Sequence, residues 1–220
     1  MPSQMGKRYE RDYTEEELRT TADSVEVAVT VPVQVEVEFN HKVLNLSEME
    51  NVLRSANRIA LQNCGCRQDK NNCNNPRDVC ITVDPKDDYI TVNKAYRPKI
   101  VTLNEALKAL MRSHEAGLVH MAYTMKGDDH PTVICSCCPC CCHTLGGLLR
   151  YGISTQVLTS RLIASDDSNC IDCGKCVERC VFEARSMKDG KKQYNAAKCF
   201  GCGLCVSTCP SGAIDLVPRA

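Results

Sequence analysis

The chain has 220 residues, of which 18 are cysteine and none is tryptophan, and aromatic residues make up only 5%. Its 27 basic residues balance 27 acidic ones, which argues against the basic surface that nucleic-acid binding requires. No apolar run reaches the length of a membrane span, and the charged first residues do not form a signal peptide, so we expect a cytoplasmic protein. In a reducing compartment, dense cysteine favours metal ligation over disulfides.

Residues 1–40 are predicted to form a charged N-terminal arm followed by a β-strand extension. Thr14 and Glu17 have the spacing of a capping box, so a short helix is expected from Thr14; the alternative is a solvated arm. From Val25 to Phe39 every odd position is apolar, which predicts a strand with one dry face, and Pro32 marks an edge position or a break. This strand either mediates self-association or docking, or is an edge strand of its own domain.

Two amphipathic helices are predicted in the middle of the chain. Ser47 and Glu50 form a capping box, and an apolar stripe from Met49 to Ala60 predicts a helix that leads to Cys64. A second helix covers the segment "TLNEALKALMRSHEAG", with Gly117 placed to end it. Between them, the segment "DDYITVNKAYRPKIVT" has a mixed pattern, and we expect a short strand or turn there at best.

The C-terminal part contains an internal repeat of four cysteines. Both copies have the spacing C-x2-C-x2-C-x3-C, formed by Cys170, Cys173, Cys176, Cys180 and by Cys199, Cys202, Cys205, Cys209. Steps of three residues in a tight loop can wrap three corners of a [4Fe–4S] cube, and the fourth ligand must come from elsewhere. Zinc fits this pattern poorly, because Gly174, Gly201 and Gly203 let the backbone approach inorganic sulfide.

The other ten of the 18 cysteines lie in the middle of the chain and are candidate metal ligands. They are Cys64, Cys66, Cys73, Cys80, Cys135, Cys137, Cys138, Cys140, Cys141 and Cys142. In an extended segment a C-x-C pair points both thiols to one side, whereas adjacent cysteines point apart, so "CSCCPCCC" can serve two metal centres. Ten thiols allow two cubes with two thiols left over, or one cube plus a dithiol or mononuclear site.

The repeat resembles the bacterial two-[4Fe–4S] ferredoxin domain from Asn169 to Val217. The resemblance implies that each motif gives its fourth cysteine to the other cluster. Cluster I would then be held by Cys170, Cys173, Cys176 and Cys209. Cluster II would be held by Cys199, Cys202, Cys205 and Cys180. The first motif departs from the pattern, because Val181 stands where proline is usual, while the second keeps Pro210.

Residues 60–142 resemble the cysteine-rich N-terminal domain of dicluster-ferredoxin proteins from anaerobes. The shared elements, in order, are "CGCR", Cys73, "PRDVC", "EALKAL…GLVH" and "CSCCPCCC". With the repeat, the resemblance covers most of residues 47–217, and it implies an iron–sulfur redox protein. We expect [4Fe–4S] clusters: two in the ferredoxin domain and, from the number of thiols, one or two in the middle domain. Two middle clusters, which we expect, correspond to about 16 iron atoms per chain, and one to about 12.

Several residues near the cysteines have two interpretations. His143 either ligates metal or is a hydrogen-bonded neighbour, whereas His114 and His120 are expected to be structural. Arg67, next to Cys66, either donates a hydrogen bond to a cluster or forms a surface ion pair.

The predicted fold class is α+β, in three parts: an arm (1–40), a cysteine-rich iron–sulfur domain (41–164) and a two-[4Fe–4S] ferredoxin domain (165–220). No Rossmann glycine pattern or P-loop is present, so we expect an electron-transfer subunit of an anaerobic redox complex rather than a catalytic subunit. The nearly balanced charge of the ferredoxin part favours docking onto redox partners. The alternatives are a reductase with a substrate-accessible cluster or a free vicinal pair such as Cys141 and Cys142, and an iron–sulfur sensor or carrier.

Overall fold

The computed structural model describes residues 4–23, 25–30, 47–153, 157–158, 162–166 and 168–218. The helices are α1 (Glu15–Ala22), α2 (Ser47–Ser55), α3 (Gly65–Lys70), α4 (Tyr89–Val92), α5 (Leu103–Glu115), α6 (His143–Tyr151) and α7 (Lys175–Arg179). The strands are β1 (Val25–Thr30), β2 (Ile59–Asn63), β3 (Asp78–Val83), β4 (Lys99–Val101), β5 (Val119–Met125), β6 (Val133–Cys137), β7 (Val157–Leu158), β8 (Leu162–Asp166), β9 (Arg185–Lys188), β10 (Lys191–Tyr194) and β11 (Ile214–Pro218). The fold is mixed α/β, with an antiparallel sheet and a small cysteine-rich C-terminal unit.

The central sheet has the strand order β4-β2-β3-β6-β5-β1-β7. Its pairs are antiparallel except β1 with the two-residue strand β7. Successive side chains on a strand point to opposite faces, so the sheet has two chemically different sides. On one side, α2 and α5 pack on Leu61, Ile81 and Ile134.

The other side of the sheet carries the thiols. Ile134 of β6 packs in the core under α2 and α5. Cys135 and Cys137, which point to the opposite face, pack with Met121 and Tyr123 of β5. Cys80 of β3 is buried and interacts with Cys135 across the sheet. The helices thus cover one face of the sheet, and the opposite face carries the thiols beside Met121 and Tyr123.

The N-terminal arm packs against α6 rather than extending into solvent. The capping box is confirmed, because Thr14 Oγ1 accepts from the backbone N–H of Glu17 and the Glu17 carboxylate accepts from the backbone N–H of Thr14. Leu18 is buried, and Asp12 forms a 2.6 Å ion pair with Arg150, whose side chain is 1% exposed. The helix prediction for this segment was right.

The predicted long strand is described only over Val25–Thr30, where it lies between β5 and β7 of the same chain. Ala28 is opposite Tyr123 of β5 and Val157 of β7. Both edges of this segment are thus paired within the chain. Residues 31–39, including Pro32, lie outside the described residues, so self-association through them stays a prediction.

The helix predicted from Ser47 to Ala60 is wrong in its second half. The helix α2 ends at Ser55, and Ile59 and Ala60 belong to β2. The apolar spacing of Ile59 and Ala60 is compatible with both a helix and a strand. The segment forms a strand because β2 pairs with β3 and β4. The second helix prediction is confirmed as α5, which begins after a capping box between Thr102 and Glu105.

The C-terminal unit contains one hairpin, β9–β10, and a second antiparallel pair formed by β8 with β11. The resemblance to the two-[4Fe–4S] ferredoxin domain predicts two short hairpins and two helices in this unit. Within the described residues only the first motif forms a helix, α7, whereas Leu204–Thr208 forms turns.

Among the described residues, no helix is both long enough and apolar enough to cross a membrane.

The C-terminal unit packs directly on the central domain. Phe182 and Phe200 stack with ring centroids 4.5 Å apart and join the apolar cluster beneath Tyr123. His114 Nε2 lies 2.6 Å from Ser207 Oγ, and Arg179 donates to the carbonyl of Glu115 at 2.9 Å. Arg179 thereby caps the C-terminus of α5 from the other unit.

We predict that Gly117→Ala lowers stability more than Gly190→Ala. Both glycines have left-handed φ, +80° and +73°, which costs about 1 kcal/mol for alanine. A Cβ at Gly117 would lie 2.8 Å from Arg179 Nη1, whereas no described atom lies within 4 Å of a Cβ at Gly190. Thermal unfolding under anaerobic conditions measures the difference, and equal losses in the two variants would show that this close approach does not matter.

Candidate metal centres

The eight cysteines of the repeat line two separate cavities. Cys170, Cys173, Cys176 and Cys209 line the first, together with Pro210. Cys180, Cys199, Cys202 and Cys205 line the second, together with Phe200. Each cavity thus combines three cysteines of one motif with the fourth cysteine of the other.

Backbone amides and hydroxyls surround these sulfurs. The N–H of Ala213 donates to Cys209 Sγ at 3.3 Å, and the N–H of Gly201 donates to Cys199 Sγ at 3.4 Å. Burial alone would raise the pKa of Cys209, but hydrogen bonds from Ser211 and the nearby backbone lower it. At Cys209 these donors favour thiolate over thiol, which is the form that iron requires. The four cysteines that line each cavity provide the four sulfur ligands of an iron–sulfur cluster, so the residues fit that group.

A ring of six cysteines lies on the thiol face of the central sheet. Neighbouring thiols interact around a closed circuit. Its order is Cys64, Cys66, Cys142, Cys137, Cys135 and Cys80, which returns to Cys64. We call these six residues the cysteine ring.

Four secondary-structure elements meet to form the cysteine ring. Cys64 caps the start of α3 and Cys66 lies in its first turn, while Cys80 lies on the neighbouring strand β3. Cys135 and Cys137 share one face of β6, and Cys142 is the N-cap of α6. The sheet therefore brings together thiols that are about 70 positions apart in the chain.

The ring thiols have raised pKa values. The hydrogen bond with Cys66, together with burial, raises the pKa of Cys64 to about 11. Interaction with Cys142 and burial raise the pKa of Cys66 to about 12. Because neighbouring thiolates repel one another, this set of thiols needs a cation to become a set of thiolates.

A cavity of about 450 Å³ opens over the cysteine ring. All six ring cysteines line it, and Tyr96, Tyr123 and His143 complete part of its wall. His143 Nδ1 lies 3.2 Å from Cys66 Sγ, which makes it a hydrogen-bonding neighbour of a ring thiol. Burial lowers the pKa of His143, so its ring is neutral at pH 7.

The remaining four middle cysteines form a second, compact group. They are Cys73, Cys138, Cys140 and Cys141, and we call them the cysteine quartet. Their sulfur atoms all lie within 4.8 Å of one another. Cys141 and Cys142, the vicinal pair considered above, therefore belong to different groups, with Cys142 in the cysteine ring. None of the 18 cysteines, which all lie within the described residues, forms a disulfide.

Arg67 lies between the cysteine ring and the cysteine quartet and is 1% exposed. Its Nη1 donates to the carbonyl of Ser136 at 2.8 Å and contacts Cys138 Sγ at 3.7 Å. Hydrogen bonds with Cys140 and Cys141 lower the pKa of Cys138, and Arg67 acts in the same direction. Its buried Nε and Nη2 have no hydrogen-bond partner among the described residues, which fits an anionic metal–thiolate group beside it. A surface ion pair is excluded for Arg67.

His114 and His120 lie away from these thiols, on the α5 side of the sheet. Their rings stack at 6.0 Å, and His120 Nδ1 is 3.1 Å from Ser136 Oγ. Burial lowers their pKa values to about 4 and about 3, so both are neutral at pH 7.

Sequence reasoning missed the aromatic residues of the site. Tyr13 from the arm interacts electrostatically with Cys66, and Lys70 Nζ lies 3.8 Å from the centroid of the Tyr13 ring. Tyr123 Oη lies 3.7 Å from Cys137 Sγ. The alternation of β5 could have placed Tyr123 on a buried face, but no signal in the sequence connects Tyr13 with Cys66.

Residues 164–216 match a family model described as a 4Fe-4S dicluster domain. This stretch contains all eight cysteines of the repeat and defines a ferredoxin-type iron–sulfur domain. No curated protein matches the chain significantly. Together with the dense cysteines of the central domain, the match makes the chain an iron–sulfur electron-transfer protein.

We predict that Arg67→Gln accelerates the loss of metal from the central domain. A hydrogen bond from a charged donor contributes about 1.5–3 kcal/mol, so its removal should speed metal release to a chelator about tenfold or more. Arg112→Gln is the control, since Arg112 forms a half-exposed ion pair with Asp78 at 2.8 Å. Iron and zinc release are followed by absorbance of the chelator complex, and equal rates in the two variants would contradict a role for Arg67.

Proposed function

We propose that the protein is a subunit of an anaerobic redox complex and relays single electrons through several [4Fe–4S] clusters. In the ferredoxin domain, cluster I is held by Cys170, Cys173, Cys176 and Cys209, and cluster II by Cys180, Cys199, Cys202 and Cys205. The lining of the two cavities by these same sets supports the assignment. When bound, each cluster supplies one-electron oxidation and reduction.

A third cluster is proposed at the cysteine ring. Four thiolates complete a [4Fe–4S] cube, so two of the six ring thiols remain for other roles. The proposed fusion of a ferredoxin domain to the cysteine-rich domain found in anaerobe dicluster proteins gives such a third cluster a place beside the other two.

The observation that carries the relay is the continuity of buried contacts between the three sites. Cys176 and Cys209 of cluster I pack in one apolar cluster with Cys199 and Cys205 of cluster II. A second apolar cluster contains both the cluster II cysteines Cys180 and Cys202 and the ring cysteines Cys137 and Cys142. Electron tunnelling weakens steeply with distance, so buried sites that share packing are suited to exchange electrons.

The same contacts give the relay an order. Cluster II lies between cluster I and the cysteine ring, and the stacked rings of Phe182 and Phe200 belong to the packing on the ring side. Cys173 is exposed, and its neighbour Ile171 is 64% exposed. We therefore propose that a redox partner docks at cluster I and that electrons pass by cluster II to or from the cysteine ring.

A second candidate function is a reductase, and the cavity over the cysteine ring favours it. Its volume of about 450 Å³ is enough for a small substrate beside a cluster with an accessible iron. Electrons arriving from cluster II would then be used in that cavity. Exogenous small ligands such as cyanide should change the EPR spectrum of the ring cluster in a reductase and leave it unchanged in a pure relay.

We predict that Cys209→Ser perturbs cluster I and that Cys180→Ser perturbs cluster II. Crossed ligation requires this result. Cys209 belongs to the second motif but binds cluster I, and Cys180 belongs to the first motif but binds cluster II. EPR-monitored redox titration of the anaerobically purified chain measures both clusters. The reverse pattern, with Cys209→Ser disturbing the cluster of Cys199, Cys202 and Cys205, would show that each motif binds its own cluster.

We also propose that the chain self-associates through residues 31–39, whose alternating apolar residues are typical of a pairing strand. The expected mass of the full chain in solution is a multiple of 24.3 kDa. Replacing Val35 and Val37 together by glutamate should reduce the mass to that of one chain. A control replaces Gln34 and Glu36, on the polar side, by lysine. Light scattering measures the masses, and a monomeric native chain would overturn this proposal.

A further inference from the structure

The cysteine quartet is closer together than the thiols of a cube would be. Cys73 Sγ lies 3.8 Å from Cys138 Sγ and 3.9 Å from Cys141 Sγ, and Cys140 Sγ lies 3.7 Å from Cys141 Sγ. The four sulfur atoms all lie within 4.8 Å of one another. This spacing leaves room for one atom at the centre of the group.

The geometry of a tetrahedron relates these sulfur–sulfur distances to a metal–sulfur bond length. The edge of a tetrahedron is about 1.63 times the distance from its centre to a corner, so metal–sulfur bonds of about 2.3 Å give sulfur–sulfur edges of about 3.8 Å. In a [4Fe–4S] cube each thiolate binds a different iron, and the four irons and four sulfides separate the thiolates much further. The quartet distances agree with the first arrangement.

We propose that Cys73, Cys138, Cys140 and Cys141 bind a single tetrahedral metal ion, zinc or ferrous iron, that carries no inorganic sulfide. Four sulfur ligands in a tetrahedron are the preferred surroundings of both ions. The proposal goes beyond the electron relay, because this site is separate from the cysteine ring and from clusters I and II.

The neighbours of the cysteine quartet suit the charge of such a site. Four thiolates and one divalent ion carry a net charge of −2, and the buried guanidinium of Arg67 lies 3.7 Å from Cys138 Sγ. Asn75 Nδ2 donates to Cys73 Sγ at 3.4 Å. Hydrogen bonds of this kind orient thiolate ligands and lower the charge density on sulfur.

The position of the cysteine quartet gives the ion a structural role. Cys73 lies in the loop between α3 and β3, whereas the other three lie in the turn between β6 and α6. That turn begins after Cys137 and ends at Cys142, which are both ring residues. Asn72 also joins the two segments, since it donates to the carbonyl of Cys140 at 3.0 Å. An ion in the quartet would hold the backbone that presents Cys137 and Cys142 to the cysteine ring.

The test is a comparison of metal and acid-labile sulfide in the anaerobically purified full chain and its variants. Cys73→Ala should lose about one metal ion per chain with no loss of sulfide. Cys73→His should retain the ion, because histidine also ligates zinc and iron. Cys176→Ala, in the first motif of the repeat, is the control and should lose iron and sulfide together.

Two results would overturn the proposal. If Cys73→Ala loses about four iron and four sulfide, the quartet holds a cube; if it loses no metal, the four thiols hold none. Should Cys73→Ala fail to fold, X-ray absorption on the native chain decides. We expect one zinc or iron ion per chain with four sulfur neighbours at about 2.3 Å and no neighbouring metal. If neither the zinc nor the iron absorption edge shows such an ion, a single-ion site is contradicted. This result does not depend on how clusters I and II are ligated.

Discussion

The thiol sites depend on the alternation of side chains along β6 and on its end at Cys137. While the strand is extended, Cys135 and Cys137 point to the open face of the sheet and Ile134 points to the core under α2 and α5. Where the strand ends, the chain turns, so Cys138, Cys140 and Cys141 gather on the other side with Cys73. Cys142 returns to the first side as the N-cap of α6. One short segment thus supplies thiols to two separate groups.

Charge is the second constraint on this arrangement. Ten thiols in one small domain cannot all ionise without cations, because neighbouring thiolates repel one another. The raised pKa values of the ring thiols reflect this repulsion and the burial of the sulfurs. Arg67 is the buried cation that both groups face, and its position between them follows from its place next to Cys66 on α3. Metal bound at these thiols would therefore couple metal loading to the folding of the central domain.

The contact between the two units brings the cysteines of the repeat close to the cysteine ring. Phe182, Phe200 and Leu204 place the second cavity of the repeat against the apolar cluster that contains Cys137 and Cys142. Arg179 and Ser207 attach the C-terminal unit to the end of α5, through the carbonyl of Glu115 and the ring of His114. The contact leaves the first cavity, with Cys173, towards solvent. The first cavity is thus the solvent-facing end of this arrangement, and the cysteine ring is its other end. A relay or a reductase requires two such ends.

Local spacing in the sequence determined the iron–sulfur character of the C-terminal unit and the two capped helices α1 and α5, because each depends on residues a few positions apart. The same reasoning extended α2 to Ala60, since the apolar spacing of Ile59 and Ala60 suits a helix as well as a strand, and only pairing with β3 and β4 chooses between them. The sequence also showed that "CSCCPCCC" can face two ways. It did not show that the ten middle thiols divide into six and four, or that Tyr13 lies against Cys66. Those facts were decided by the tertiary structure, because they depend on which strands are neighbours and on contacts between segments that are distant in the chain.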